Sequence, residues 1–177
     1  MPALVRALIV ALIAPAVLAM RPAPVATTED RAFDHEPFEE KVECLALNVY
    51  HEARSEPLKG QVAVAAVILN RVESGQFPDS VCGVVKQGTR SKGCQFSWWC
   101  DGRKDTPTEK EAWDQARRIA IRTLTGLTDD PTDGALYYHT TKVRPSWSRK
   151  FERTARIGEH LFYKPTDSDE LRVSSLR

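Results

Sequence analysis

Residues 60–72 read GQVAVAAVILNRV, and whether this run forms a strand or a helix decides the fold. Its centre, 62–69, is eight consecutive apolar residues. Val62, Val64, Val67 and Ile68 are β-branched and would suit a strand. The length of the run, its alanines and the absence of turn residues within it favour a buried helix. Upstream, Val42, Leu45, Ala46, Val49 and Ala53 recur at helical spacing and predict a helix over 38–54. Pro57 disfavours helical geometry at Glu56 and so ends that helix. Downstream, a short helix is expected from 79 or 80 to 86, then a loop rich in Gly, Cys and aromatic residues over 87–105. Thr106-Pro107-Thr108-Glu109 reads as a helix start, with Thr106 as cap, Pro107 in the first turn and Glu109 completing a capping box. Trp113, Ala116, Ile119, Ala120 and Leu124 would line one face of this helix, and Gly126 would end it. Asp133-Gly134 marks a turn, and strands are expected at 135–139 and 161–163. The class is α+β, mostly helix with a short β-sheet, in one domain without internal repeats.

The two ends read differently from this middle. Residues 1–6 carry one positive charge, and 7–19 form a 13-residue apolar run ending in Val17-Leu18-Ala19. That is the pattern of a secretory signal peptide, 1–19, cleaved after Ala19. The run falls short of the ~20 residues of a comfortable membrane span, and Pro15 interrupts it. A linker or loose arm is expected over 20–36, a folded domain over 37–164 and a polar, frayed tail over 165–177. The net charge is +1; losing 1–19 removes Arg6 alone and leaves 24 basic and 24 acidic residues. A neutral chain offers no electrostatic case for nucleic acid. An exported monomer without a membrane span is the expectation, in a bacterial periplasm or envelope or secreted.

Cys44, Cys82, Cys94 and Cys100 form no C-x-x-C pair, and the histidines lack zinc-finger spacing, so neither metal nor cofactor is expected. An even cysteine count in an exported chain favours two disulfides. Cys94 with Cys100 would close a short loop, leaving Cys44 with Cys82, although three pairings are open on sequence alone.

Chemistry points first to His51-Glu52-Ala53-Arg54-Ser55-Glu56. Leu45, Val49 and Glu52 stack on one helical face, so the carboxyl borders an apolar stripe at the negative end of the helix dipole. Dehydration and the dipole both raise its pKa, which suits a general acid for glycosidic cleavage. The alternative is a surface glutamate paired with an arginine; Glu56 is expected to be solvated. The loop GCQFSWWCDG at 93–102 gathers Phe96, Trp98 and Trp99 as platforms for sugar rings, beside Gln95 and Ser97 as hydroxyl partners. One of the adjacent tryptophans should be exposed. In ALYYHTTKVRPSW at 135–147, Tyr137 and Tyr138 alternate across a strand, His139 could bond substrate, and Trp147 could form a cleft wall. Asp101 is the best candidate for a second carboxylate. A zinc-protease reading of His51-Glu52 fails because position 55 is Ser55. No G-x-S-x-G is present, and Cys44 and His51, seven residues apart on one helix, would struggle to touch.

These blocks resemble, in order, the SleB/CwlJ-type cell wall hydrolases. The resemblance is carried by Tyr50-His51-Glu52-Ala53-Arg54-Ser55-Glu56-Pro57, by Gly60-Gln61-Val62-Ala63 with Leu69-Asn70-Arg71-Val72, and by Phe77-Pro78. It continues through Val81-Cys82-Gly83-Val84-Val85, Gln95-Phe96-Ser97, Asp101-Gly102, Ala135-Leu136-Tyr137-Tyr138-His139 and Ile157-Gly158-Glu159-His160-Leu161-Phe162. It implies a lysozyme-like or lytic-transglycosylase-like α+β fold for 37–164 and a catalytic domain acting on peptidoglycan glycan strands. It also implies Glu52 as the acid of a lytic transglycosylase that cuts after N-acetylmuramic acid and leaves 1,6-anhydro ends. Gln95, Phe96, Ser97, Tyr138, His139 and Trp147 are the candidate sugar contacts. Muramidase-type hydrolysis, N-acetylmuramoyl-L-alanine amidase activity and a noncatalytic wall-binding module are the alternatives. The family block often has Gly where this chain has Ser55. No stretch resembles the separate wall-binding domain of many spore enzymes, so an exported enzyme without a sporulation role is expected.

Overall fold

The computed structural model describes residues 36–166. The expected signal peptide, most of the 20–36 arm and nearly all of the 165–177 tail lie outside the described residues. The chain runs α1 (Phe38–Ala53), α2 (Leu58–Ser74), α3 (Val81–Val85), a small hairpin of β1 (Gly88–Thr89) and β2 (Gly93–Cys94), α4 (Ser97–Cys100) and α5 (Lys110–Leu124). Then follow β3 (Tyr137–Thr140), a 3-10 turn (Ser146–Arg149), β4 (Glu152–Ile157) and β5 (His160–Lys164). Among the described residues no helix is long and apolar enough to cross a membrane.

The run at 60–72 is helical. Ala63, Val64, Ala65, Val67 and Ile68 are fully buried, so α2 is apolar almost all round because helices and sheet both cover it. It packs against α1, α3, α5 and β4. Pro57 precedes its first turn, and Gly75, in the left-handed region at φ 66°, ends it. The first helix spans 38–53, close to expectation, with Glu39 and Glu40 in its first turn, where the dipole favours acids. Ser80 caps α3 by accepting the Gly83 N–H at 3.1 Å.

The expected capping box at Thr106 does not form. Helix α5 begins at Lys110, after Glu109, with no side-chain cap. The Thr108 and Glu109 N–H groups instead donate to the Tyr50 hydroxyl at 3.1 and 3.2 Å. The Glu109 carboxylate accepts from Arg54 Nε at 2.9 Å rather than turning back to Thr106. Tyr50 of α1 and Arg54 at its C-terminal cap thus replace a local cap with a tertiary one, which fixes α5 to α1. Trp113, Ala116, Ile119, Ala120 and Leu124 do face the core.

The sheet is antiparallel, with β5 between β3 and β4. Strand β4, within 152–157, has no counterpart in the sequence reading. Its residues Glu152-Arg153-Thr154-Ala155-Arg156 are mostly polar, as an edge strand allows. Register pairs Tyr137 with Tyr163, Tyr138 with Phe162 and His139 with Leu161. Tyr138 and Phe162 face the helices, and Tyr137, His139 and Tyr163 face away.

Disulfides join Cys44 to Cys82, tying α1 to α3, and Cys94 to Cys100, closing the loop of α4; their Cα atoms are 5.3 and 6.2 Å apart. Glu36 belongs to this fold rather than to a loose arm, since its carboxylate accepts the Val81 and Cys82 N–H groups, each at 3.0 Å.

Candidate active site

Glu52 lies in the last turn of α1, its side chain partly buried and turned toward β3. Burial is the main influence on its carboxyl and raises the pKa above the ordinary value. Three weaker influences oppose it: the Tyr138 hydroxyl, the Arg71 charge and the Trp98 indole N–H. The Tyr138 hydroxyl donates to Glu52 Oε2 at 3.4 Å, a long bond. Trp98 Nε1 meets no acceptor with hydrogen-bond geometry, so its pull on Glu52 is one of proximity.

Each neighbour has a structural reason for its place. Tyr138 reaches Glu52 because strand alternation turns it toward the helices between Tyr137 and His139. Burial and the nearby Glu52 charge hold its phenol well above the ordinary pKa, so it remains a donor. Arg71 is 1 % exposed, an unusual depth for a guanidinium. Its Nε donates to the Leu136 carbonyl at 2.7 Å. Its charge lies 4.9 Å from the Phe77 ring centroid, 5.7 Å from Phe96 and 5.8 Å from Tyr137. With its amide oxygen turned to the guanidinium, Gln95 accepts from Arg71 Nη2 and Nη1 at 3.2 and 3.3 Å. Trp98 is held by His51, whose ring stacks on it at 4.5 Å while His51 Nε2 meets the Asp105 carbonyl at 3.0 Å. Asn48, one turn before Glu52, is fully buried beside Tyr138, and neither of its amide atoms finds a protein partner.

The residues singled out from sequence divide into three groups. Glu52, Tyr138, Phe96 and, through Arg71, Gln95 come together. Phe96 is 3 % exposed and supports Tyr138 and Trp98 from beneath rather than standing as a cleft wall. His139 and Trp147 belong to the other face of the sheet. The His139 ring nitrogens meet the Thr140 carbonyl at 2.8 Å and the Tyr163 hydroxyl at 3.1 Å, and Trp147 packs on Tyr137, His139, Phe151 and Tyr163. Ser97 and Asp101 line a separate surface hollow with Arg90. The Asp101 carboxylate is occupied by its own turn, accepting the Arg103 N–H at 2.8 Å. Of the adjacent tryptophans, Trp98 is buried and Trp99 exposed.

Glu56, expected to be solvated, is not. Its side chain is 8 % exposed, with Oε1 3.5 Å from His160 Nδ1. Its Oε2 accepts the Glu159 N–H at 3.0 Å. Gly158, at φ 57°, permits this approach, because a Cβ there would collide with the same oxygen. The pair lacks hydrogen-bond alignment at Nδ1, and burial lowers the His160 pKa, so the imidazole is neutral in neutral solution. His160 meets the Tyr138 ring edge-on at 5.4 Å. The burial of Arg71 was likewise missed, although a signal exists: Val64, Val67 and Arg71 fall on one helical stripe.

The one group among the described residues close enough to hold a metal ion is Glu36, Cys44 and Cys82. It is a poor donor set, because both sulfurs are in the disulfide and the carboxylate already binds two amides. Cavities of about 640 and 620 Å³ open away from Glu52, one beside Asn70 and Lys164 and one beside His139 and Arg144. Volume therefore does not locate this site; the dehydrated carboxyl does.

The cell wall hydrolase family profile matches residues 55–163, beginning just after Glu52. The spore cortex-lytic enzyme of Halalkalibacterium halodurans is 42 % identical over 125 residues, covering 68 % of this chain and 34 % of that protein. The spore cortex-lytic enzyme of Bacillus subtilis is 38 % identical over 124 residues, covering 68 % of this chain and 36 % of that protein. This chain therefore spans little more than a third of the length of these two relatives. The crystal structure of the catalytic domain of the Bacillus cereus SleB protein superposes with a TM-score of 0.58 at 35 % identity, covering 71 % of this chain and 91 % of that domain. The catalytic domain of the germination-specific lytic transglycosylase SleB from Bacillus anthracis gives a TM-score of 0.57 at 37 % identity, covering 70 % and 93 %.

Proposed function

This chain belongs to the cell wall hydrolase family, and from that premise we propose that it cuts peptidoglycan glycan strands after N-acetylmuramic acid as a lytic transglycosylase, with Glu52 as the acid. The observation that carries the reading is the Glu52 carboxyl itself: burial raises its pKa and so favours the protonated form, while Tyr138 and Arg71 act on it in the opposite sense.

That balance suits two successive proton transfers. Protonated Glu52 donates to the glycosidic oxygen as the C–O bond breaks, and the anomeric carbon gains oxocarbenium character. The carboxylate left behind is stabilised by the Tyr138 hydroxyl and the Arg71 charge, which matter most once Glu52 is ionised. Glu52 then takes the proton of the same sugar's 6-hydroxyl as that oxygen closes on the anomeric carbon. The product is a 1,6-anhydro end, and Glu52 is again protonated. The groups acting on Glu52 are a phenol, a guanidinium and an indole. Asp101, bonded into its own turn, has no role in this scheme. Gln95, exposed and anchored to Arg71, is the group we assign to a sugar hydroxyl or acetamide.

Export accompanies this reading. Peptidoglycan lies outside the cytoplasm, where disulfides such as Cys44–Cys82 persist, and residues 1–19 have the composition of a signal peptide. The test is release of soluble fragments from purified peptidoglycan. The parent protein and Asp101→Asn should release them, whereas Glu52→Gln, folded normally, should not. Release by Glu52→Gln would remove the assignment.

A further inference from the structure

On the outward face of the sheet, β3, β5 and the neighbouring β4 form the floor of an open cavity of about 620 Å³. His139, Leu161 and Tyr163 supply the floor, and Arg144, Arg149 and Arg153 stand around it, with Thr141 and Ser148 hydroxyls at the rim. The volume falls in the ~300–1,000 Å³ range of small-ligand sites. Among the described residues no acidic one lines it. Among the described residues none of the three arginines has an ion-pair partner. The Glu159 carboxylate accepts from the Thr141 hydroxyl at the rim, at 2.9 Å.

The local sequence is strongly biased. Between His139 and Arg156 there are six cations, Lys142, Arg144, Arg149, Lys150, Arg153 and Arg156, against the single acid Glu152, in a chain whose net charge is +1. Elsewhere among the described residues some cations are paired, Arg117 with Glu39 and Glu43, Arg54 with Glu109, Lys110 with Asp114, and other exposed ones stand singly; here three stand around one cavity. Three unpaired guanidiniums converging on one cavity hold a field that attracts an anion, and their planar forks match carboxylates in particular.

We propose that this cavity binds the carboxylates of the peptide stems carried by peptidoglycan, as a second contact distinct from the Glu52 site. The inference rests on the reading of peptidoglycan as substrate. With each muramic lactyl carboxyl tied up in the amide to its stem, the glycan strand offers uncharged hydroxyl and acetamide groups, whereas the peptide branches end in free carboxylates. The apolar floor of Leu161, Tyr163 and Phe151 suits a peptide's aliphatic atoms. The same strand, β3, thus presents Tyr138 to the acid on one face and His139 to this cavity on the other.

The experiment measures binding to insoluble peptidoglycan on a Glu52→Gln background, so that nothing is cut. A second variant adds Arg144→Gln, Arg149→Gln and Arg153→Gln. These side chains are exposed, so the thermal midpoint should be unchanged. With intact peptidoglycan the arginine changes should weaken binding by about tenfold or more and flatten its salt dependence. With peptidoglycan whose stem carboxyls have been converted to primary amides, which leaves the lactyl–stem amides intact and the strand uncharged, the two proteins should bind alike. Equal binding of both to intact peptidoglycan would overturn the proposal. So would an equal loss on the amidated peptidoglycan, which would mean the arginines read the glycan rather than the stem carboxylates. Vesicles of phosphatidylglycerol form the third arm: arginine-dependent binding to vesicles but not to intact peptidoglycan would assign the cavity to phosphate and overturn the stem reading. Cutting of intact peptidoglycan by the protein with Glu52 intact is scored separately. Its absence would count against the glycan-cleaving reading, while the binding comparison still decides the role of the arginines.

Discussion

The two faces of strand β3 are one residue apart in sequence and opposite in electrostatics. Toward the helices, Tyr138 meets a dehydrated carboxyl, with a single buried cation, Arg71, acting on it. Toward the cavity, His139 and Tyr163 form a floor among three guanidiniums that have no carboxylate partner among the described residues. On the reading proposed above, the inner face controls one proton and the outer face attracts an anion. A four-residue strand suffices for both, because side chains alternate with a period of two.

The largest expected effect tests this division directly. Glu52→Gln should lower the rate of glycan release by about 10²–10⁴-fold, the usual contribution of a positioned proton donor. The outer-face change Tyr137→Phe should leave the rate within about twofold, since Tyr137 makes ring contacts that phenylalanine keeps. A comparable loss from both would erase the distinction between the faces.

The disulfides come next. Replacing Cys44 and Cys82 together by alanine opens a loop of sequence separation 38 and should cost about 4 kcal/mol of stability by the chain-entropy relation. Replacing Cys94 and Cys100, at separation 6, should cost about 2 kcal/mol. Denaturant titration measures both. Activity should follow the reverse order in conditions where each variant is folded, because the smaller loop carries Trp98 beside Glu52.

Tyr138→Phe should move the pH profile. The phenol's hydrogen bond lowers the Glu52 pKa, so its removal raises it. Activity that requires protonated Glu52 is lost as pH rises through that pKa, so the alkaline limb of kcat/KM should shift to higher pH, with a lower maximum. Tyr137→Phe should leave the limb in place. A shift to lower pH in Tyr138→Phe would contradict the geometry.

A smaller effect concerns stability. Because burial raises the Glu52 pKa, the folded state holds this proton to higher pH than the unfolded chain does. Ionising Glu52 therefore costs stability as pH rises above the ordinary carboxyl value, and the cost is complete above the raised value. Glu52→Gln should be more stable than the parent at neutral pH, on the order of 1 kcal/mol. The difference should shrink below the ordinary value of 4.5, where both states are protonated. Thermal melts across pH measure it.

Much of this was legible locally. The helical spacing of Val42, Leu45, Val49 and Ala53 locates α1, and it sets Glu52 on the border of the stripe. The alanines of 60–72 identify α2 as a helix. What was not legible depends on partners far away in the chain. The capping box at Thr106 is displaced by the Tyr50 hydroxyl and Arg54. Glu56 is enclosed by a turn about a hundred residues later, where Gly158 lets the backbone approach. Arg71 is buried because the Leu136 carbonyl, Gln95 and three aromatic rings converge on it from other elements. His139 and Trp147 were grouped with Tyr138 by closeness in sequence, but alternation on β3 places His139 on the opposite face, where Trp147 packs against it.

The central claim is that one carboxyl, Glu52, handles both proton transfers. Mass spectrometry of the glycan fragments released from purified peptidoglycan tests it most directly. The account predicts fragments one water lighter than hydrolysis products, carrying 1,6-anhydro ends and absent with Glu52→Gln. Reducing ends in their place would show that water attacks, and would contradict the assignment of both transfers to Glu52.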